Sequence, residues 1–258
     1  MVRLKTLEDI KKIKAANEII ARLYEDIIPK YIKAGVSTWE IDKICEDYIL
    51  SQGAKPGTKG YDIGWPYPPY PASTCISINE KVVHGIPSKT EIIKEGDIVS
   101  LDTVTILDGY YGDAAKTFAV GEIDEKSRKL LNVTEKARDL GIEAAVLGNT
   151  TGDIGAVIQN YVERNGFSVV RDFTGHGVGF EMHEDPYVPN YGRHGSGTVL
   201  QEGMVIAIEP MLNLGTKKIY MLDDDWTIIT ADNKKSAHFE HTVAVTKDGY
   251  EILTGDWR

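Results

Sequence analysis

Only two cysteines, Cys45 and Cys75, occur in 258 residues. Two thiols make neither a disulfide framework nor a thiolate zinc site, and they suit a reducing compartment. No apolar run approaches the ~18 residues of a membrane span. The opening MVRLKTLEDIKKIK has no apolar core of the kind that secretory signals carry. A cytoplasmic setting with no membrane partner is therefore expected. Positive charge is also scarce. The 29 Lys and Arg face 39 Asp and Glu, a formal net charge of −10, which argues against nucleic acid as a substrate. With no low-complexity tract and no obvious linker, residues 1–258 are expected to form one domain, or two fused halves of about 1–125 and 126–258.

The most informative stretch, residues 96–118, reads GDIVSLDTVTILDGYYGDAAKTF. Two apolar, β-branched runs flank Asp108-Gly109, the strongest short signal for a two-residue hairpin. Such a turn pairs position 107 with 110 and 104 with 113. Asp102 and Asp113 then share a face as diagonal neighbours, their Cα atoms roughly 7–8 Å apart. Carboxylates so placed repel each other and lose hydration, and a cation relieves both costs. A second reading stays open, in which that face is solvated and the aspartates are surface charge. A bulge would separate them.

Apolar residues at helical spacing predict a long amphipathic helix over 7–33, broken at Gly35. Ser37 and Glu40 stand at capping-box spacing and open a second helix to about Ser51. The stretch from Gly53 to Pro71, rich in Gly, Pro and Tyr, reads as an ordered loop with exposed aromatics. Short strands are expected near Thr74–Ile78 and Lys81–His84. A helix over Arg128–Leu147 follows, and Thr150 with Asp153 cap another that ends near Asn165.

The two helical regions are related. Displaced by 113 residues, AGVSTWEIDKICEDYILSQG and LGNTTGDIGAVIQNYVERNG agree at Gly35/Gly148, Thr38/Thr151, Ile41/Ile154, Tyr48/Tyr161 and Gly53/Gly166, an internal repeat. EGDIVSLD (95–102) likewise resembles EGMVIAIE (202–209), each strand ending in a carboxylate, Asp102 or Glu209. His84-Gly-Ile-Pro87 echoes His183-Glu-Asp-Pro186, and Glu240 takes the part of Asp113. Two facing halves would bring four carboxylates to one point.

The second half adds FTGHGVGFEMHEDP, where glycines around His176 would let backbone pass close to whatever its imidazole meets. A lone histidine is commonly a satisfied core or surface residue. Beside four strand carboxylates it becomes a candidate metal ligand. Carboxylates with one imidazole suit Mn(II), Fe(II), Co(II) or Zn(II). Shared carboxylates could hold two ions about 3.5–4 Å apart, as hydrolytic two-metal sites do.

NEKVVHGIP, the aspartate hairpin, GHGVGFEMHEDP, EGMVIAIEPM and AHFEHTVAVT follow in that order. With them the chain resembles the type I methionine aminopeptidases of bacterial form over nearly all its length. The resemblance implies a pita-bread α/β (α+β) fold, with two pseudo-symmetric halves, each packing helices on a curved antiparallel sheet. It implies metal ligands Asp102, Asp113, His176, Glu209 and Glu240, with Asp113 and Glu240 bridging two divalent ions. Asp102 would ligate one ion, and His176 with Glu209 the other. It implies further that Glu209 shuttles a proton, while His84 and His183 hydrogen-bond the scissile peptide and its oxyanion. Strand-end packing is the plainer role for His84.

The family's methionine pocket falls on Tyr67, Tyr70, Cys75, Met182 and Trp226. Core or loop packing is the plainer role for each. Met182 departs from the aromatic residue common there, which softens the pocket, while the prolines of 64–70 stiffen it. Asn79 and Ser236 match positions that hold a monovalent cation in some relatives, or they cap turns. No cysteine cluster signals a zinc-binding N-terminal extension, and no helical insertion of the type II form separates Glu209 from Glu240.

Three activities remain in view. The first is removal of initiator methionine from nascent chains whose second residue is small, by a monomer working near the ribosome. The second is an Xaa-Pro aminopeptidase or prolidase, which usually carries a further N-terminal domain. The third is a non-catalytic binding protein on the same fold, which loss of ligands would mark.

Overall fold

The first helix, α1, begins where a side chain can close it. Thr6 accepts from the backbone of Asp9 and Asp9 reciprocates, so α1 runs over Leu7–Arg22. The computed structural model describes residues 1–255. The expected helix to residue 33 stops short as an α-helix. A wide π turn occupies Leu23–Ile27, and Pro29 sits in a 3₁₀ turn over Ile28–Lys30, where it removes a helical donor. Helix α2 covers Thr38–Ser51 and α4 covers Thr151–Arg164, each behind the expected capping box. Helix α3 spans Glu125–Glu143, earlier than expected, because Asp124 accepts from Ser127 N–H and caps it.

The repeat has a backbone cause. Gly35, Gly53, Gly148 and Gly166 all adopt left-handed conformations, φ +92°, +76°, +86° and +84°, which side chains disfavour. Each pair of glycines thus marks the same two chain reversals around α2 and α4.

The aspartate hairpin forms in the predicted register. Strands Ile98–Leu107 and Tyr110–Ala119 pair over their whole length, with Val104 opposite Asp113 and Leu107 opposite Tyr110. Asp108 and Gly109 take φ +50° and +83°, as a type I′ turn requires. Cys75–Ile78 and Lys55–Pro56 pair with the other edge of the first strand, completing an antiparallel sheet. A second antiparallel sheet orders Gly249–Ile252, His241–Thr246, Val205–Ile208, Gly175–Gly177 and Glu184–Val188. Two small sheets join distant segments: Lys81–Val83 pairs with Ile228–Thr230, and Met211–Asn213 with Ser236–His238.

Helices α1 and α2, with the π turn after α1, cover the first sheet through Ile20, Tyr24, Ile41 and Cys45, packed with Ile76 and Leu101. Helices α3 and α4 cover the second through Leu130, Ile154 and Ile158, packed with Ile206 and Val243. Each such side chain contributes about 1.5–3 kcal/mol on burial. Cys45 and Cys75 are buried and unbridged. Of the expected exposed aromatics, Trp65 is 94% exposed but Tyr70 is buried, because its hydroxyl donates to Gly85 O at 2.9 Å.

The two large sheets are stitched along one line. Glu240 N–H donates to Ala115 O at 2.8 Å, His238 N–H to Thr117 Oγ1 at 2.9 Å, and Thr242 Oγ1 to Asp113 O at 2.7 Å. The N-terminal segment closes another gap. Buried Lys5 places Nζ 2.8 Å from Glu184 Oε2. Glu184 Oε1 in turn accepts Phe180 and Glu181 N–H, which shapes the loop before His183. Among the described residues no helix separates Glu209 from Glu240, and none is long and apolar enough to cross a membrane.

Candidate active site

Asp113 is fixed through its backbone. Its N–H donates to Asn17 Oδ1 at 2.9 Å, and buried Asn17 is anchored by donating to Ile13 O at 3.0 Å. Helix α1 approaches so closely here that a Cβ on Gly112 would lie 2.7 Å from Asn17 N. Asp102 stands opposite Cys75 in the same sheet. It sits in mid-strand rather than at a strand end as expected. Glu209 follows the last residue of Val205–Ile208, and Glu240 occupies the break between Ser236–His238 and His241–Thr246. The second pair of carboxylates therefore stands where ladders stop.

His176 lies in the buried Gly175–Gly177 strand. Its Nδ1 is 2.9 Å from Gly177 O, a carbonyl that accepts only, so the ring proton is on Nδ1 and Nε2 offers a lone pair. Nε2 faces Glu209 Oε1 at 3.3 Å and Asp113 Oδ2 at 3.8 Å. The flanking glycines serve strand packing rather than close approach to a ligand. A Cβ on Gly175 would meet Ala207 O, and one on Gly177 would meet Asp185 O, each at 2.2 Å.

One ligand atom from each of Asp113, His176 and Glu240 lies within 4.8 Å of the others. Glu240 Oε1 is buried with no hydrogen-bond partner, a cost that a cation would remove. Burial, then the neighbouring carboxylates, holds Asp113 and Glu240 well above the usual carboxylate range. Burial pushes Asp102 up to about 6 and Glu209 up to about 8. The histidines move oppositely. Burial, then His183, lowers His176 to about 3, and burial likewise lowers His84 to about 4 and depresses His183. Carboxylates that resist ionising together, beside a neutral imidazole, are a donor set fitted to a divalent cation.

These groups line one cavity of about 870 Å³, which takes in all five expected ligands and both expected non-ligand histidines. Tyr67, Tyr70, Cys75, Met182 and Trp226 line it too. The Tyr70 and Trp226 rings meet edge to face at 5.2 Å, and Trp226 Nε1 donates to Pro68 O at 2.9 Å. His84 has φ +59° and stands edge-on to Phe173 and Trp226, with ring centroids 5.4 and 6.2 Å away. Asn79 and Ser236 are not among the lining residues. Ser236 N–H donates to Asn79 O at 2.8 Å, and Asn79 Nδ2 donates to Asp97 Oδ1 at 2.7 Å.

Three residues escaped the sequence reading. His238, buried, points Nε2 toward Glu209 Oε2 at 3.6 Å. It lies inside AHFEHTVAVT, where only Glu240 was singled out. Tyr61 places its hydroxyl 2.6 Å from His183 Nδ1, and no motif marks it within a tyrosine-rich loop. Asn17 reads as one more polar residue of an amphipathic helix.

Comparison with known proteins adds four findings. The sequence model of metallopeptidase family M24 matches residues 11–247. A methionine aminopeptidase of Clostridium acetobutylicum is 48% identical over 254 residues, covering 98% of this chain and 99% of its own. The crystal structure of methionine aminopeptidase from Thermotoga maritima superimposes with a TM-score of 0.94 at 43% identity, over 99% of this chain and all of that one. A prolidase from Pyrococcus furiosus is more distant, with a TM-score of 0.77 at 28% identity, and the match covers 66% of the prolidase.

Proposed function

The chain belongs to metallopeptidase family M24, and from that premise we propose that it is a metal-dependent aminopeptidase of pita-bread fold. It hydrolyses the first peptide bond of chains that begin with methionine. One observation carries this reading: a buried carboxylate–imidazole cluster and an apolar, aromatic wall open into the same cavity. The cluster suits hydrolysis, and the wall suits a side chain of methylenes and sulfur.

In this reading Asp102, Asp113, His176, Glu209 and Glu240 would hold two divalent ions. When bound, such ions acidify water and polarise a carbonyl. Glu209 takes a proton at a carboxylate oxygen and returns it to the leaving amine. His84 and His183, kept neutral by burial, donate N–H to the peptide carbonyl, where negative charge grows. Tyr70, Cys75, Trp226, Tyr67 and Met182 enclose the methionine side chain. Crowding beside the acid cluster limits the second residue to small side chains. The substrates are new N-termini in the cytoplasm. A monovalent cation between Asn79 and Ser236 would brace the turn between Cys75–Ile78 and Lys81–Val83.

The test is hydrolysis of Met-Ala-Ser against Met-Lys-Ser, Leu-Ala-Ser and Ala-Pro-Ser, on metal-stripped protein with Mn(II), Co(II), Fe(II) or Zn(II) restored. Metal-dependent cleavage of Met-Ala-Ser alone is expected. Cleavage of Ala-Pro-Ser would place the chain with the prolidases, and no cleavage with any metal would overturn the reading.

A further inference from the structure

Among the described residues, His183 is a candidate catalytic histidine whose ring nitrogen meets a side-chain hydroxyl from another loop. Tyr61 sets its hydroxyl 2.6 Å from His183 Nδ1, with the two rings tilted at 5.3 Å. On the other side the His176 ring meets His183 edge-on at 4.3 Å. The imidazole thus sits between a phenol and a second imidazole, although His183 itself is exposed. Tyr61 is itself fixed. Its N–H donates to Thr58 O at 2.9 Å, and its carbonyl accepts Tyr70 N–H at 2.9 Å. Tyr70 is buried against Trp226 in the apolar wall.

A neutral imidazole has one N–H and one lone pair, and the partner of one nitrogen decides the state of the other. A phenol is a better donor than acceptor, and an imidazole lone pair is among the best neutral acceptors. Burial raises the Tyr61 hydroxyl above its ordinary value, so it keeps the proton it donates. We propose that Tyr61 is a positioning residue for the hydrolysis: its O–H donates to His183 Nδ1 and so keeps the ring proton on Nε2, as a donor to the substrate carbonyl. The other tautomer would present a lone pair to an oxygen that gains negative charge, and would repel it. Because Tyr61 hangs from Tyr70, one loop both walls the apolar pocket and orients the donor.

The proposal rests on the role given to His183 above, and two variants separate the two claims. Tyr61→Phe removes a single oxygen from a side chain that is not in the core. It is expected to lower kcat ~10-fold, the usual weight of one hydrogen bond, with KM and metal content unchanged. In a His183→Ala background the same substitution is expected to cost nothing further. Long-range ¹H–¹⁵N spectra of zinc-loaded protein are expected to show His183 as the Nε2–H tautomer, and Tyr61→Phe to bring in the Nδ1–H form. An unchanged tautomer in Tyr61→Phe, or an unchanged kcat while His183→Ala is slow, overturns the Tyr61 proposal alone. A full kcat in His183→Ala removes the role of His183, and this proposal falls with it.

Discussion

In the aspartate hairpin, Asp102 and Asp113 sit inside ten-residue strands paired position for position. Glu209 and Glu240 instead stand one step beyond a strand and in a gap between two. Inside a ladder, a side chain's direction follows from register, and register from the turn. Where a ladder stops, direction depends on contacts made elsewhere. For Glu240 that contact is its N–H on Ala115 O, across the line between the sheets. One half thus holds its carboxylates by its own pairing, and the other borrows the first half's edge.

The sharpest way to break that comparison is to remove one carboxylate from each side. Asp113→Ala and Glu240→Ala are both expected to lose metal and activity together, with kcat down on the order of 10⁴-fold or more. Plasma emission metal analysis beside peptide turnover checks this. If one variant keeps its metal, Asp113 and Glu240 are not both shared ligands. His183→Ala should fall ~10²–10³-fold in kcat with metal content intact, which steady-state kinetics on metal-analysed protein will show. Metal lost with the activity would move His183 into the ligand set.

A smaller effect tests whether the second sheet holds its histidine by packing. Gly177→Ala would drive a Cβ to 2.2 Å from Asp185 O, and the backbone shift should cost about 1–3 kcal/mol in chemical unfolding. Metal affinity should fall as His176 moves. Unchanged stability would mean that this strand yields easily.

The smallest expected effect is on pH dependence without metal. Burial raises the Glu209 carboxyl to about 8, so the folded state binds a proton that the unfolded state releases. Its neutral burial therefore costs nothing below the unfolded value of ~4.3 and progressively more as pH rises toward 8. The buried histidines act oppositely. His176, lowered to about 3, and His84, lowered to about 4, weaken the fold only as pH drops below ~6.5. Between 6.5 and 8 Glu209 acts with the other raised carboxyls, Asp113 and Glu240, and the Tm of metal-stripped protein should fall. Saturating Mn(II) should flatten that slope. A metal-free Tm that rises over this window would contradict the burial of Glu209.

How much of this could be read beforehand follows from the same contrast. Asp108-Gly109 specified a two-residue turn, and every pair of the hairpin followed. Ser37/Glu40 and Thr150/Asp153 located helix starts because capping is local. The end of α1 was not legible, since the π turn at Leu23–Ile27 depends on packing, and the start of α3 was missed because Asp124 was passed over as its cap. The family resemblance supplied five ligand positions, but strand spacing alone could not have shown Glu209 and Glu240 outside their ladders. Nor could it show that Gly175 and Gly177 answer to neighbouring carbonyls. Tyr61, Asn17 and His238 act through contacts between segments far apart in sequence, which periodicity does not record.

Lys5 meets Glu184 across 179 positions, and that pairing governs when the site can exist during synthesis. Lys5 waits for Glu184, made 179 positions later, before the two can shape the loop that bears His183. The acid cluster waits for Glu240, made after the other four carboxylate and histidine positions. Contacts of such long range form late in folding. A growing copy therefore carries the parts of a peptidase without its chemistry until Glu240 docks against Ala115.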